Sequence, residues 1–218
     1  MALIDDTDAA EIRERLDGMT GAVNLIHFTQ ESNLEYGLEA RQILEELTKF
    51  SEKLTLETYN FVSDTQKVAQ YAVDKVPATV IRNGKDYGIR FFGLPAGYEF
   101  SAVLDGILAV SKGDSGLQPE SRLRLAQLTE PLHLQVFTTP TCPYCPPAVR
   151  LAYQFAMESD LVRADGIEAT EFPELAERFR VMAVPRTIIN GKDHVEGTLP
   201  ETFFLDAILK TLHPPKPN

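Results

Sequence analysis

The sequence predicts an α/β protein made of two similar units in tandem, each a mixed sheet flanked by helices. Three observations carry this. Short apolar runs of strand length alternate with longer segments of helical spacing along all 218 residues. The segment Val76-Pro77-Ala78-Thr79-Val80-Ile81-Arg82-Asn83-Gly84-Lys85 returns as Val184-Pro185-Arg186-Thr187-Ile188-Ile189-Asn190-Gly191-Lys192, one residue shorter before its turn. Between the copies, Lys112-Gly113-Asp114-Ser115-Gly116-Leu117-Gln118-Pro119 breaks the periodicity with glycine, proline and polar residues, which places the units at residues 1–113 and 120–218.

From the amino end, Ala9, Ile12 and Leu16 fall on one face of a helix that stops at Gly18. Val23-Asn24-Leu25-Ile26-His27-Phe28 reads as a buried strand, with His27 a packed structural residue. Ala40, Ile43, Leu44 and Leu47 mark a half-buried helix from about Tyr36 to Phe50, and Leu54 to Val62 a strand. A short helix around Val68, Ala69 and Ala72 precedes two strands, Ala78 to Ile81 and Tyr87 to Phe92, joined by an Asn83-Gly84 turn. Leu94-Pro95 opens the closing helix, whose apolar positions include Val103, Leu104, Ile107 and Leu108. The order then repeats: a helix from Ser121 to Leu128, a strand from Leu132 to Phe137, a helix after Cys142 through Met157, a strand from Leu161 to Thr170, the second Val-Pro hairpin, and a helix after Leu199-Pro200. Internal duplication accounts for this order.

A hydrophobic fraction of 44 % and a charged fraction of 24 % are those of a soluble globular chain, and no apolar stretch is long enough to cross a bilayer. The formal net charge of -11 repels phosphate backbones and anionic membrane surfaces, which argues against nucleic acid and membrane partners. Met1-Ala2-Leu3-Ile4-Asp5-Asp6 lacks the basic start and apolar run of a secretory signal, so a reducing cytoplasm is expected.

The chain has two cysteines, Cys142 and Cys145, within Thr141-Cys142-Pro143-Tyr144-Cys145-Pro146-Pro147. With a strand before and a helix after, the first thiol lies over unpaired helix N–H groups that stabilise a thiolate, making Cys142 the nucleophile and Cys145, one turn further into the helix, the resolving thiol. Half a zinc site would need two more ligands, and His27, His133, His194 and His213 show no paired spacing, so no metal is expected. Haem attachment needs histidine where Pro146 stands. A structural role is weak, because so short a loop constrains little unfolded-chain entropy. No cofactor is called for beyond the redox-active disulfide Cys142–Cys145.

Taken with the duplicated strand and helix order, Cys142-Pro143-Tyr144-Cys145-Pro146, Glu171-Phe172-Pro173-Glu174-Leu175-Ala176 and Val184-Pro185 resemble the two-domain protein disulfide oxidoreductases, glutaredoxin-like proteins with tandem thioredoxin folds. The chain also resembles the tandem amino-terminal module of the alkyl hydroperoxide reductase flavoprotein. The resemblance implies two thioredoxin-like domains, with protein disulfides as substrates. It further implies a separate reductase such as a thioredoxin-reductase-like flavoprotein and, on the second likeness, electron delivery to a peroxiredoxin. A non-catalytic thioredoxin-fold binding module is the alternative of another class. The resemblance also puts a cis-proline loop, Val184-Pro185, beside Cys142, where the Val184 backbone can pair with an extended substrate. Pro143 and Tyr144, a pair like that of glutaredoxin sites, complete the substrate-facing set. The carboxylate that thioredoxins bury in the preceding strand is replaced by Val136, leaving Glu168 as the candidate proton acceptor for Cys145. Glutathione use would need cations near the motif, and Arg186 is the one offered. The first unit departs from the pattern: Asn33 stands opposite Cys142 and Tyr36 opposite Cys145, so that unit has no thiols.

Overall fold

The computed structural model describes residues 3–30 and 34–212; the expectations for Asn33, His213 and the ends of the chain lie outside them. The first eight elements are α1 (Asp6–Leu16), β1 (Val23–Thr29), α2 (Leu34–Thr48), β2 (Leu54–Asn60), α3 (Thr65–Gln70), β3 (Ala78–Arg82), β4 (Asp86–Phe92) and α4 (Tyr98–Lys112). They are followed by α5 (Pro119–Leu125), β5 (Leu132–Thr138), α6 (Cys145–Glu158), β6 (Val162–Glu168), α7 (Pro173–Arg178), β7 (Arg186–Ile189), β8 (Asp193–Glu196) and α8 (Glu201–Leu212). The mixed α/β architecture is the one predicted. Local chemistry sets the ends of its helices: the Asp5 carboxylate accepts from the N–H groups of Thr7 and Asp8, both at 2.9 Å, and Gly113 closes α4 in the left-handed region at φ 66°.

The four-stranded sheets expected of the two units are joined in one. Its order is β2-β1-β3-β4-β6-β5-β7-β8. Within each group of four, two strands run parallel and a hairpin is added antiparallel. The groups meet where β4 pairs in parallel with β6, Ile89 to Phe92 against Ala164 to Ile167. This pairing answers the edge-strand problem, because two open ladders satisfy each other's backbone groups.

Successive side chains of β4 go to opposite faces. Phe91 joins a core between the sheet and α1, α2, α4, α5, α6 and α8, while Phe92 joins a smaller core under α3 and α7. Both rings are fully buried, each contributing about 2–3 kcal/mol. On the larger core, α4 and α6 pack across the junction: a Cβ on Gly106 would lie 3.1 Å from the Tyr153 ring, and the Tyr153 hydroxyl donates to the Arg90 carbonyl at 2.9 Å. Asp165, fully buried in β6, accepts from His133 Nε2 at 2.6 Å and Arg163 Nε at 2.9 Å. Burial alone would raise its carboxyl, but the His133 hydrogen bond and the Arg163 charge hold it below the ordinary range.

The parallel strands place the carboxyl ends of β1, β4, β5 and β6 along one edge of the sheet. At that edge the loop after β5 carries the cysteines.

Candidate active site

β5 ends at Thr138, and α6 begins at Cys145 rather than directly after Cys142. The reason is compositional. Pro146 and Pro147 lack N–H groups and fit only the first turn, so the helix cannot run through the motif from its first cysteine. Cys142 and Cys145 form a disulfide with Cα atoms 5.5 Å apart; Cys142 is 7 % exposed and Cys145 fully buried. An attacking sulfur can reach Cys142 and not Cys145. Cys142 Sγ lies 3.8 Å from the Val184 carbonyl oxygen, and the Val184–Pro185 bond is cis, as is Val76–Pro77 in the first unit. Pro143 and Tyr144 face solvent, as does Met182, two residues before Val184, at 89 % exposure. The sequence argument singled out the first two and passed over Met182.

Glu168 ends β6 and is buried, but its oxygens are occupied. They accept from the Thr170 N–H and hydroxyl, at 3.1 and 2.8 Å, and from the Glu171 N–H at 2.6 Å, closing the turn after the strand. Another carboxylate, unforeseen from the sequence, sits at the root of the cysteine loop. Glu99, in the first turn of α4 and 1 % exposed, accepts a hydrogen bond from the Thr138 hydroxyl, and its second oxygen has no partner. Burial pushes its carboxyl up to about 8; the Thr138 hydrogen bond opposes this and the charges of Glu168 and Glu171 add to it. Glu171 is pushed up to about 7, again by burial first, against the Leu94 N–H and with Glu168 and Glu39.

Glu99 comes from the unit without thiols. That unit also touches the loop directly: the Tyr98 N–H donates to the Pro140 carbonyl at 2.9 Å, and Gly97 packs against the same carbonyl. Arg186 is spoken for by an ion pair with Glu196 and is largely buried, which leaves it poorly placed to receive a free carboxylate. Among the described residues no group of three or more His, Cys, Asp or Glu side chains is arranged to hold a metal ion, and no helix is long and apolar enough to cross a membrane.

This geometry has relatives. A family model described as a thioredoxin domain matches residues 132–210. The structure of a protein disulfide oxidoreductase from Aeropyrum pernix K1 superimposes with a TM-score of 0.89 at 30 % identity, covering 95 % of this chain and 93 % of that one. The chain belongs to the protein disulfide oxidoreductases. The chain is also similar to the NTD_N/C domain of the alkylhydroperoxide reductase AhpF from Enterococcus faecalis V583, with a TM-score of 0.87, 25 % identity, and coverage of 94 % and 99 %. The alkyl hydroperoxide reductase component AhpF of Pseudomonas putida is 21 % identical over 197 residues, and that of Staphylococcus aureus NCTC 8325 is 25 % identical over 191. The chain spans about a third of the length of these two, 36 % and 34 %.

Proposed function

We propose that this protein reduces disulfides or oxidises dithiols in other proteins by dithiol exchange at one site. In the reducing direction the Cys142 thiolate attacks a substrate disulfide, one substrate sulfur leaves as a thiolate, and a mixed disulfide forms. Cys145 then attacks Cys142 Sγ, releasing the second substrate thiol and restoring the internal disulfide, so two electrons pass to the substrate. The asymmetry of the pair supports this reading: the outer sulfur keeps a sliver of exposure beside the Val184 carbonyl, and the inner one is sealed. For Cys145 to attack it must lose a proton in a buried setting. We assign that proton to Glu99, whose unpartnered oxygen and raised affinity suit it better than the fully engaged Glu168. Pro143, Tyr144, Val184 and Pro185 make the substrate-facing surface, and a reducing cytoplasm with a separate flavoprotein reductase is the setting proposed.

Turnover of insulin disulfides with dithiothreitol as reductant tests the assignment. Wild type is expected to catalyse it and Cys142→Ser to lose catalysis entirely; equal rates in both would overturn the assignment. A second reading, electron delivery to a peroxiredoxin, is favoured by the match to AhpF chains across both units. It predicts poor insulin turnover and fast, saturable reduction of a peroxiredoxin disulfide.

A further inference from the structure

The two residues between the cysteines are barely held by their side chains, since Pro143 and Tyr144 face solvent. Their hold is on the backbone. The Cys142 N–H donates to the Thr139 carbonyl at 3.1 Å and the Cys145 N–H to the Cys142 carbonyl at 3.3 Å. A third bond comes from far along the chain: the Thr198 hydroxyl, in the loop between β8 and α8, donates to the Tyr144 carbonyl at 2.6 Å. Its neighbour Gly197 donates its N–H to the Pro185 carbonyl at 2.8 Å. Two adjacent residues therefore tie the cysteine loop to the proline loop, one on each side of the disulfide.

The first unit provides the comparison. There the Gly93 N–H donates to the Pro77 carbonyl at 2.9 Å, the counterpart of the Gly197 bond. The next residue is Leu94, which has no hydroxyl, and its N–H goes to Glu171 Oε1 at 2.7 Å. The hydroxyl tie is found in the unit that has thiols.

Proline content indicates what the tie does. Pro143, Pro146 and Pro147 carry no amide hydrogen, so from 143 to 147 only Tyr144 and Cys145 can donate. A Cys142 thiolate in the loop that leads into α6 thus has fewer donors than a helix end ordinarily supplies. The Cys145 N–H shares a peptide group with the Tyr144 carbonyl, and a hydrogen bond donated to that carbonyl polarises the group and strengthens its N–H. We propose that Thr198 is a positioning residue for exchange at Cys142–Cys145, its hydroxyl fixing and polarising the Tyr144–Cys145 peptide, whose N–H rests on the Cys142 carbonyl in the disulfide form and is shared with the Cys142 thiolate once the S–S bond opens. The proposal rests on the reading of this pair as an exchanging disulfide. Reduction by a dithiol delivers two electrons and breaks the S–S bond; the dithiol leaves as its own disulfide, Cys145 takes one proton as the thiol, and the other passes to solvent, leaving Cys142 as the thiolate.

The test compares full-length wild type, Thr198→Val and Thr198→Ser. Cys142 alkylation by iodoacetamide is followed in the reduced proteins between about pH 4 and 9, and the disulfide-to-dithiol ratio is measured against dithiothreitol. The valine variant keeps the shape and loses the donor. Its alkylation midpoint is expected to rise by about half a pH unit, and its equilibrium to move about threefold toward the disulfide, the size of one modest hydrogen bond. The serine variant should match wild type in both. A valine variant that titrates with wild type, or a serine variant displaced as far as valine, overturns the role of Thr198 while leaving the exchange reading intact. A wild-type disulfide that does not exchange with dithiothreitol at all overturns the exchange reading and the role with it.

Discussion

Glu99, the proton acceptor proposed for Cys145, also bears on the protein's stability. Burial raises its carboxyl to about 8, against the Thr138 hydrogen bond, with the charges of Glu168 and Glu171 adding to the rise. The unfolded chain releases this proton near the ordinary 4.5, whereas the folded protein holds it to about 8. The stability it contributes is therefore whole below pH 4.5 and falls as pH rises to about 8, by on the order of a few kcal/mol. Urea midpoints of the wild type should drop between pH 5 and pH 8.5. Glu99→Gln should flatten that drop, with the remaining slope belonging to Glu171, pushed up to about 7. The same variant should slow resolution of a trapped mixed disulfide by about tenfold or more in single-turnover quench experiments, because among the described residues no other buried carboxylate with an open oxygen touches Thr138. A variant that resolves at the wild-type rate would assign the proton elsewhere.

At the scale of elements, the thiol site depends on how closely α4 approaches the cysteine loop. Gly97 caps α4 at φ 53° and ψ -129°, and a Cβ there would lie 2.4 Å from the Pro140 carbonyl oxygen. Both backbone conformation and space demand glycine. Gly97→Ala is expected to lower stability by about 2–4 kcal/mol in urea unfolding and to slow Cys142 alkylation, since α4 must withdraw and take Tyr98 and Glu99 with it. Unchanged stability would show that the close approach is not required. The elements themselves were largely legible, because each leaves a local signature: an apolar run for β1, Asn83-Gly84 for the β3–β4 hairpin, the Cys-x-x-Cys spacing for the redox pair. Glu99 was not. In the sequence it is one charged residue in the first turn of an amphipathic helix, and only the meeting of α4 with the end of β5 buries it. The start of α6 was misplaced by two residues, because a pattern of apolar spacing does not register that Pro146 and Pro147 can occupy only its first turn.

At the scale of the whole molecule, two similar units were expected from the sequence and the joining of their sheets was not. Val76-Pro77 and Val184-Pro185 carried the expectation of a duplication, but nothing in β4 or β6 alone says that their edges pair, since a strand covered on both sides reads the same whoever its neighbour is. The pairing makes the units one body. Across the junction run the β4–β6 ladder, the Tyr153 hydroxyl on the Arg90 carbonyl at 2.9 Å, and Arg163 Nη1 on the Ala72 carbonyl at 2.8 Å, over a core that mixes Phe91 and Ile107 with Leu151 and Phe155. In the covalent link Gly113 and Asp114 are exposed, while Ser115 and Leu117 beyond them are buried, with the Ser115 hydroxyl on Glu158. A protease site inserted between Gly113 and Asp114 should therefore be cut without separating the units. The two pieces are expected to elute together at the size of the intact chain, to unfold in one transition, and to retain Cys142 alkylation with the pH dependence of the uncut protein. Pieces that elute apart, or two separate transitions, would mean that the unit without thiols is a neighbour of the site. Co-elution with an unchanged thiol profile would make it part of the site, because Tyr98 and Glu99 reach the cysteine loop only through that junction.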